Sequence, residues 1–439
     1  TYETFDFTPG ESGMNSSFET LQTMTAGAHQ EMISCRLCGN SLSWPFLDLG
    51  QQPLCESYLQ QHELNQMEPF FPLQVYVCRE CMLVQLDQYV SPGHIFSEYA
   101  YFSSYSDSWL KHSKAYVQMA IDRFGLGPKS LAVELASNDG YLLQYFVEHG
   151  VPVLGIEPAA NVANAAIERG IPTAVKFFGV KAAEEQTANG MGADLLIGNN
   201  VLAQVPDLHD FVEGMRILLK PRGHITMEFP HLWRLLESNQ FDTIYHEHFS
   251  YFSLAVVERL FSEHALKIFD VEELPTHGGS LRIYACHRSN SEPASKRLNG
   301  LRKHEADLGL DRLECYMSFA ERVKETKRKL LEFMIAAKRN GKQIAGYGAA
   351  GKGNTLLNYC GIRTDFLDYV VDRNPYKQGR FLPGTHIPIY HPDRIRETKP
   401  DLVLVLPWNV KSEIMSQISY IREWGGQFIV PIPEVQIYS

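Results

Sequence analysis

The chain has 439 residues, a length that sets a prior of about three domains. Its content of 44% hydrophobic and 11% aromatic residues excludes a disordered chain, and its net charge of −11 argues against nucleic acid or an anionic membrane as partner. It shows no apolar run long enough to span a bilayer and no charged-then-apolar secretory signal. With eight cysteines, this pattern points to a reducing, cytoplasmic setting.

Residues 1–31, rich in Thr, Ser, Gly and Glu, read as a flexible extension without chemistry. Cys35-Arg-Leu-Cys38-Gly39 and Cys78-Arg-Glu-Cys81 are two tight knuckles. Together Cys35, Cys38, Cys78 and Cys81 complete the tetrahedral thiolate shell that zinc favours, and four protein ligands make such a zinc structural rather than catalytic. Redox pairs or free thiols are the alternative. Cys55 stands outside this spacing and reads as a small buried thiol. Short β-rich runs, Leu73–Val77 and Leu83–Leu86, complete a zinc-binding module over residues 32–87. A hydroxyl-rich aromatic stretch at 96–105 follows, then an amphipathic helix from Trp109 to Phe124.

From Ser130 strands and helices alternate, the mark of a parallel sheet covered on both faces. Strands are expected at Leu131–Leu135, Val153–Ile156, Thr173–Val175, Leu195–Gly198, Ile225–Glu228, Ile268–Val271 and Leu281–Ala285. The last two lie close enough to end the sheet in an antiparallel edge pair. Helices are expected at Gly140–Glu148, Ala160–Arg169, Val180–Thr187, Leu208–Leu219 and Leu254–His264. This unit occupies 88–290. A charged stretch, 291–340, carries apolar residues spaced by threes and fours and reads as one or two connecting helices. A second, Rossmann-like α/β unit fills 341–439. The expected fold class is therefore α/β: a small zinc-binding module, a seven-stranded Rossmann-like sheet and a second Rossmann-like domain.

The first strand of the middle unit runs into Glu134-Leu-Ala136-Ser-Asn138-Asp139-Gly140 and a helix, a cradle for a nucleoside-type cofactor. Glu157, at the end of the second strand, suits the two hydroxyls of a ribose. The loop lacks the full Gly-x-Gly-x-x-Gly pattern that a pyrophosphate needs, which favours S-adenosylmethionine over a dinucleotide. A merely structural turn is the plain alternative. A second glycine loop, Gly346-Tyr-Gly348-Ala-Ala-Gly-Lys352, is the better dinucleotide fingerprint. With Asp372 after the next strand it keeps an NAD(P)-dependent oxidoreductase or epimerase in view, although Lys352 also suits the diphosphate of a sugar nucleotide.

The densest chemistry lies at Phe241-Asp-Thr-Ile-Tyr-His-Glu-His-Phe-Ser-Tyr-Phe252. Tyr245, Glu247 and His248 have the residue types of a base, an orienting carboxylate and a phenol donor. A hydrogen-bonded core cluster and a metal pair through His246 and His248 are the competing readings. Strict strand geometry puts Tyr245 and Glu247 on one face and His248 on the other. All three share a pocket only if the stretch bends, so an irregular segment after the fifth strand is expected.

The four cysteines, Asn138-Asp139-Gly140, Asn199-Asn200-Val-Leu-Ala, Tyr245-His-Glu-His248, Thr276-His277-Gly278-Gly-Ser280 and the Gly346 loop occur in one order. From about Cys35 to the C-terminus the chain resembles the zinc-containing C-methyltransferases that act on nucleotide-linked 4-keto-deoxysugars. The resemblance implies structural zinc and S-adenosylmethionine, the latter held by Glu134, Ala136, Asn138, Asp139, Gly140, Glu157, Asn199 and Asn200. It also implies a nucleotide-sugar substrate met by Gln204, His277, Gly278, Gly348 and Lys352. His248 would remove the C3 proton beside the ketone, with Tyr245, Glu247 and Tyr99 in the same pocket, and no catalytic metal is needed. Two departures stand out. Gln204 replaces a histidine of the family pattern and cannot exchange protons at neutral pH, and Ala136 stands where such loops commonly carry glycine. They raise a third reading, a catalytically impaired relative that binds the ligands. The oligomeric state is not legible.

Overall fold

The computed structural model describes residues 33–43, 45–96 and 102–439. The expected extension over 1–31 and the candidate donor Tyr99 lie outside the described residues.

The amino-terminal module is built on β1 (Pro45–Gln52), β2 (Phe71–Val77) and β3 (Val84–Leu86), paired antiparallel in that order. The cysteine knuckles precede β1 and join β2 to β3. Each closes on itself: the Gly39 amide donates to the Cys35 carbonyl and the Met82 amide to the Cys78 carbonyl, both at 2.9 Å. Gly39 takes φ +74°, a backbone state that costs glycine nothing. A short helix α1 (Pro92–Ile95) follows, then α2 (Asp107–Phe124), capped by the Ser106 hydroxyl and stopped by left-handed Gly125.

The middle domain follows the expected alternation closely. In chain order it comprises β4 (Ala132–Leu135), α3 (Leu143–Glu148), β5 (Val153–Ile156), α4 (Ala160–Glu168), β6 (Thr173–Ala174), α5 (Val180–Ala188) and β7 (Ala193–Asn199). Then come α6 (Leu208–Leu218), β8 (Leu219–Pro230), α7 (Leu232–Glu237), β9 (Ser250–Tyr251), α8 (Leu254–Glu263), β10 (Leu266–Leu274) and β11 (Ser280–His287). Seven strands form one sheet in the order β10-β11-β8-β7-β4-β5-β6. The five strands from β8 to β6 run parallel, and β11 lies antiparallel to both β8 and β10. The expected antiparallel edge pair is present. β8 begins well before Ile225 because its Leu219 end pairs with Ala193 across a register shift, which the turn-like Lys220-Pro-Arg-Gly223 conceals in sequence.

β9 belongs elsewhere. It pairs antiparallel with β3, Val84 opposite Tyr251 and Gln85 opposite Ser250, and completes the sheet of the zinc-binding module. The region expected to hold one or two connecting helices holds three, α9 (Lys296–Leu308), α10 (Glu314–Met317) and α11 (Phe319–Arg339). α11 buries Phe319, Val323, Thr326, Leu330, Met334 and Ala337, one face at helical spacing. That face joins Phe46, Leu49 and Leu73 of the zinc-binding module to the core of the last domain. There β12 (Ile344–Tyr347), α12 (Gly351–Cys360), β13 (Val370–Val371), β14 (Ile389–Tyr390), β15 (Leu402–Val405), β16 (Gln427–Val430) and β17 (Gln436–Tyr438) form a sheet ordered β14-β13-β12-β15-β16-β17. Only β17 runs antiparallel. Among the described residues no helix is long and apolar enough to cross a membrane.

Glu228, at the carboxyl end of β8, fixes how α2 and the β10–β11 hairpin meet the sheet. It is fully buried and accepts hydrogen bonds from Arg282 at 2.7 Å, His112 at 2.9 Å and Thr276 at 2.8 Å. Burial alone would raise its carboxyl pKa, but His112, Arg282 and Thr276 hold it down to about 2. A depressed carboxylate stabilises the fold fully above its unfolded value and loses that contribution as pH falls through the folded one. Acid unfolding should therefore show a contribution on the order of 3 kcal/mol that fades between pH about 4.5 and about 2. Glu228→Gln should remove that limb and cost about 3 kcal/mol or more at neutral pH, because Arg282 is left buried beside a neutral amide. Urea titrations at pH 7 and pH 3 measure both; an unchanged acid limb in the variant would contradict the assignment.

Candidate active site and metal centre

A single cavity of about 880 Å³ opens where the three domains meet. The carboxyl ends of β4, β5, β7 and β8, the segment 241–248, the β10–β11 turn and the start of α12 all contribute to its wall, the position that open α/β sheets use for ligands.

On the side of the middle domain, Ala136, Asn138, Glu157, Asn199 and Asn200 line the cavity. The Glu157 carboxylate accepts the Asn138 and Ala159 amides, each at 2.9 Å, which orients it at the end of β5. Burial still pushes its pKa up to about 7 against those two bonds. Asn200 gives its side-chain nitrogen to His277 Nε2 at 3.0 Å, while its Oδ1 is buried without a partner among the described residues. Glu134, Asp139 and Gly140 lie behind this wall rather than on it. Asp139 takes Arg169 at 3.1 Å, and Gly140, at φ +77°, leaves the space that a Cβ would contest with Ile171. Phe177, Phe178, Val201 and Phe211 add apolar surface to the same wall, with Phe178 and Phe211 packed edge to face at 5.3 Å. A carboxylate for a ribose, an unmatched amide oxygen and an apolar slot fit S-adenosylmethionine.

Tyr245, Glu247, His248, Gln204, His277 and Lys352 line the same cavity. The segment after α7 is irregular, as expected: a 3-10 turn over Phe241–Thr243, a further turn, then β9. Its bend brings Tyr245 and His248 together, their rings 4.2 Å apart between centroids. His248 Nδ1 meets the Thr243 carbonyl at 3.1 Å, so Nδ1 carries the proton and Nε2 keeps a lone pair, without a partner among the described residues. The orienting group is thus a backbone carbonyl and not Glu247, which accepts the Cys55 thiol at 3.5 Å. Burial, opposed by the Thr243 bond and reinforced by the charge of Lys352, lowers the His248 pKa to about 3. Burial also raises Tyr245 well above the usual phenol range, which keeps it a donor. His246 points away, its Nε2 on the Pro72 carbonyl at 3.1 Å, so it makes no metal pair with His248.

Two glycines expected to touch substrate do not line the cavity. Gly348, at φ +94°, is required because Pro407 fills the space of a side chain there, and Gly278, also at φ +94°, because Trp408 does. Asp372 does not line the cavity and instead accepts the Ala349 amide at 2.7 Å.

Three cavity residues, His112, Glu56 and Lys377, escaped sequence reading, as did the partner of Asp242. His112 lines the cavity, bonded to Glu228 and stacked on Trp109 at 5.0 Å. Asp242 is fully buried and accepts the Trp408 indole at 2.7 Å, with its pKa pushed up to about 7 by burial. Lys377 joins Glu56 at 3.3 Å on the cavity wall. All are long-range pairings, without a local spacing to reveal them. A signal does exist for strain: Ala136, Asn138, Asn200 and His277 all take left-handed φ, from +49° to +55°, and all four line the cavity. Strain of this kind collects at functional sites.

The four cysteine sulfurs lie within 4.8 Å of one another, with Cys35–Cys81 at 3.4 Å and Cys38–Cys78 at 3.5 Å. Zinc–sulfur bonds in a tetrahedral shell place sulfurs about 3.8 Å apart, so the donor set fits zinc. Among the described residues no other group of three or more His, Cys, Asp or Glu side chains could hold a metal.

These features define a methyltransferase with a separate zinc-binding module. Family profiles match in the same order: a putative zinc-binding domain over 35–96, a methyltransferase domain over 109–270 and a C-methyltransferase C-terminal domain over 275–433. The C-methyltransferase NovU of Streptomyces niveus is 37% identical over 409 residues, which cover 92% of this chain and 96% of that protein. The chain belongs to this C-methyltransferase family and is an S-adenosylmethionine-dependent enzyme. Solved methyltransferases from Clostridium acetobutylicum (11% identity, 40% of this chain and 92% of that one, TM-score 0.33) and Synechocystis, the latter a magnesium protoporphyrin IX methyltransferase (13%, 44% and 88%, 0.32), align more distantly.

Two outcomes follow from this geometry. Purified protein should hold about one zinc per chain by elemental analysis, and Cys35→Ala should cost on the order of 3 kcal/mol or more of stability; full stability after metal removal would contradict a structural zinc. Ala136→Gly should relieve left-handed strain and raise stability by up to about 1 kcal/mol. A thermal midpoint lower than that of the parent would show that the methyl group packs usefully instead.

Proposed function

We propose that this C-methyltransferase methylates carbon C3 of a nucleotide-linked 4-keto-6-deoxysugar, with thymidine diphosphate as the carrier, through an enolate formed by His248. One observation carries this reading. The His248 ring is fixed by the Thr243 carbonyl with Nε2 open, in the one cavity that also presents Glu157 and Asn200. A carbon acid and a methyl donor can then meet in a single space. When bound, S-adenosylmethionine offers a methyl electrophile that needs a carbon nucleophile. His248 makes that nucleophile by taking the proton α to the ketone. The developing oxyanion needs donors, because such a proton is too weakly acidic for an imidazole alone. Tyr245, held protonated by burial, is the nearest phenol, and Tyr99 is proposed as a second. His277 and Gln204 orient the sugar. Lys352, in the first turn of α12, faces the diphosphate, where the helix amides add their own attraction for anions.

The test separates proton removal from methyl transfer. In deuterated buffer, with S-adenosylhomocysteine in place of the methyl donor, the protein should exchange the C3 hydrogen of a thymidine-diphospho-4-keto-6-deoxyhexose, read by proton NMR. His248→Asn should slow this about a thousandfold. Exchange at the parental rate in that variant, or none in the parent with any keto-sugar nucleotide, would defeat the proposal.

A further inference from the structure

His248 poses a difficulty that the rest of the site resolves. It is buried and neutral, and its own segment supplies no carboxylate bond to stabilise a proton on Nε2. Around it stand Tyr245, Glu247 and Tyr251 of the same segment, and Cys55 and Glu56 of the zinc-binding module. Lys352 and Lys377 come from the last domain and His277 from the β10–β11 turn. Glu247 is engaged by Cys55, and Lys377 is held by Glu56 and by the Ala349 carbonyl at 2.7 Å. Lys352 differs: no carboxylate of the described residues pairs with it within 4.0 Å, and its electrostatic support comes from Asp242.

The start of α12 is fastened directly to the segment that bears His248. The Thr355 hydroxyl donates to the Ile244 carbonyl at 3.0 Å, one residue from the Thr243 carbonyl that holds His248. On the other side, a Cβ on Gly351 would sit 3.0 Å from the Cys55 sulfur, the atom that contacts Glu247. One thiol therefore separates the helix start from the residue next to His248. Lys352 is the neighbour of Gly351, Ala350 provides no side-chain cap, and Ala350, Gly351 and Lys352 all line the cavity, so the start of α12 meets the cavity with uncapped amides and a cation that Asp242 supports only at longer range.

We propose that Lys352 is an electrostatic gate: an anionic phosphoryl group seated on the start of α12 cancels its charge and so allows His248 to accept a proton. The inference rests on the substrate reading above and adds a specificity rule to it. A neutral keto-sugar leaves the opposition of Lys352 in place even if it reaches the cavity, whereas a diphosphate-linked one removes that part of the opposition to a proton on His248. The gated step moves the C3 proton to His248 Nε2, and the C–H electron pair enters the enolate. Two like charges in a water-poor cavity repel strongly enough to decide a proton transfer. Burial is the larger cause that holds His248 and His277 neutral, and the charge of Lys352 adds to it in the same sense on both. Burial draws Lys352 itself down, and Asp242 opposes that by supporting the cation.

The experiment uses the full chain with ring-labelled histidine, the His248 signal being assigned by its loss in His248→Asn. Inorganic pyrophosphate is the probe. Adding it to the parent should raise the proton affinity of His248 on the order of tenfold or more. Lys352→Met should raise it without pyrophosphate and abolish the further response, and Lys352→Arg should restore the parental behaviour. Lys352→Gln serves if the methionine variant does not fold. If Lys352→Met leaves His248 unmoved, the coupling is absent and the proposal fails. If the variant shifts His248 but pyrophosphate does not, phosphate is not the switch and the proposal fails on that ground. Neither arm needs turnover, so a failure of the methyl-transfer reading, seen in the exchange assay, remains distinguishable.

Discussion

The backbone of residues 241–252 has to be held from outside, because apart from the two residues of β9 it builds no ladder. Each domain supplies part of the hold. The zinc-binding module pairs β3 with β9 and places Arg36 on the Phe249 carbonyl at 3.1 Å. The last domain contributes the Trp408 indole to Asp242 and the Thr355 hydroxyl to Ile244. The middle domain delivers the segment from the end of α7 and takes it back at α8. A buried irregular chain must have its amides and carbonyls satisfied, and here the satisfying groups come from three separate folding units. The four zinc-binding cysteines do not line the cavity yet are tied to it, since the knuckles frame the sheet that β9 completes.

This arrangement accounts for where the molecule accepts strain. Four non-glycine residues in left-handed conformations line the cavity, each at the end of a strand or in a turn. Each costs on the order of 1 kcal/mol or more, a cost that the packed sheets on either side can carry. The same logic explains Gly278 and Gly348: their freedom is used to admit Trp408 and Pro407.

Much of the fold was legible in the sequence because its signals are local. The cysteine spacing gave the metal set, and the alternation of apolar runs gave all seven strands of the middle sheet. The geometric conflict among Tyr245, Glu247 and His248 announced the bend. What stayed hidden depends on contacts between distant residues. β9 is two residues long and is defined by a partner about 165 positions away. Glu228 reads as an ordinary strand residue until His112 and Arg282 arrive from other elements. Glycines 278 and 348 resembled ligand contacts because a glycine that admits a side chain looks the same in sequence as one that admits a phosphate. The orienting carboxylate assigned to Glu247 failed for a related reason, since the nearer acceptor for His248 is a main-chain carbonyl that no residue type reveals.

The central claim is that one cavity joins the cofactor loops to the base, so that methyl transfer occurs to a carbon next to a ketone. Carbon-13 NMR of the product formed from S-adenosylmethionine labelled in its methyl group and a thymidine-diphospho-4-keto-6-deoxyhexose tests this most directly. The account predicts a labelled methyl coupled to sugar carbon C3 beside an intact carbonyl. A labelled methyl on oxygen, or on a carbon not adjacent to the ketone, would contradict it.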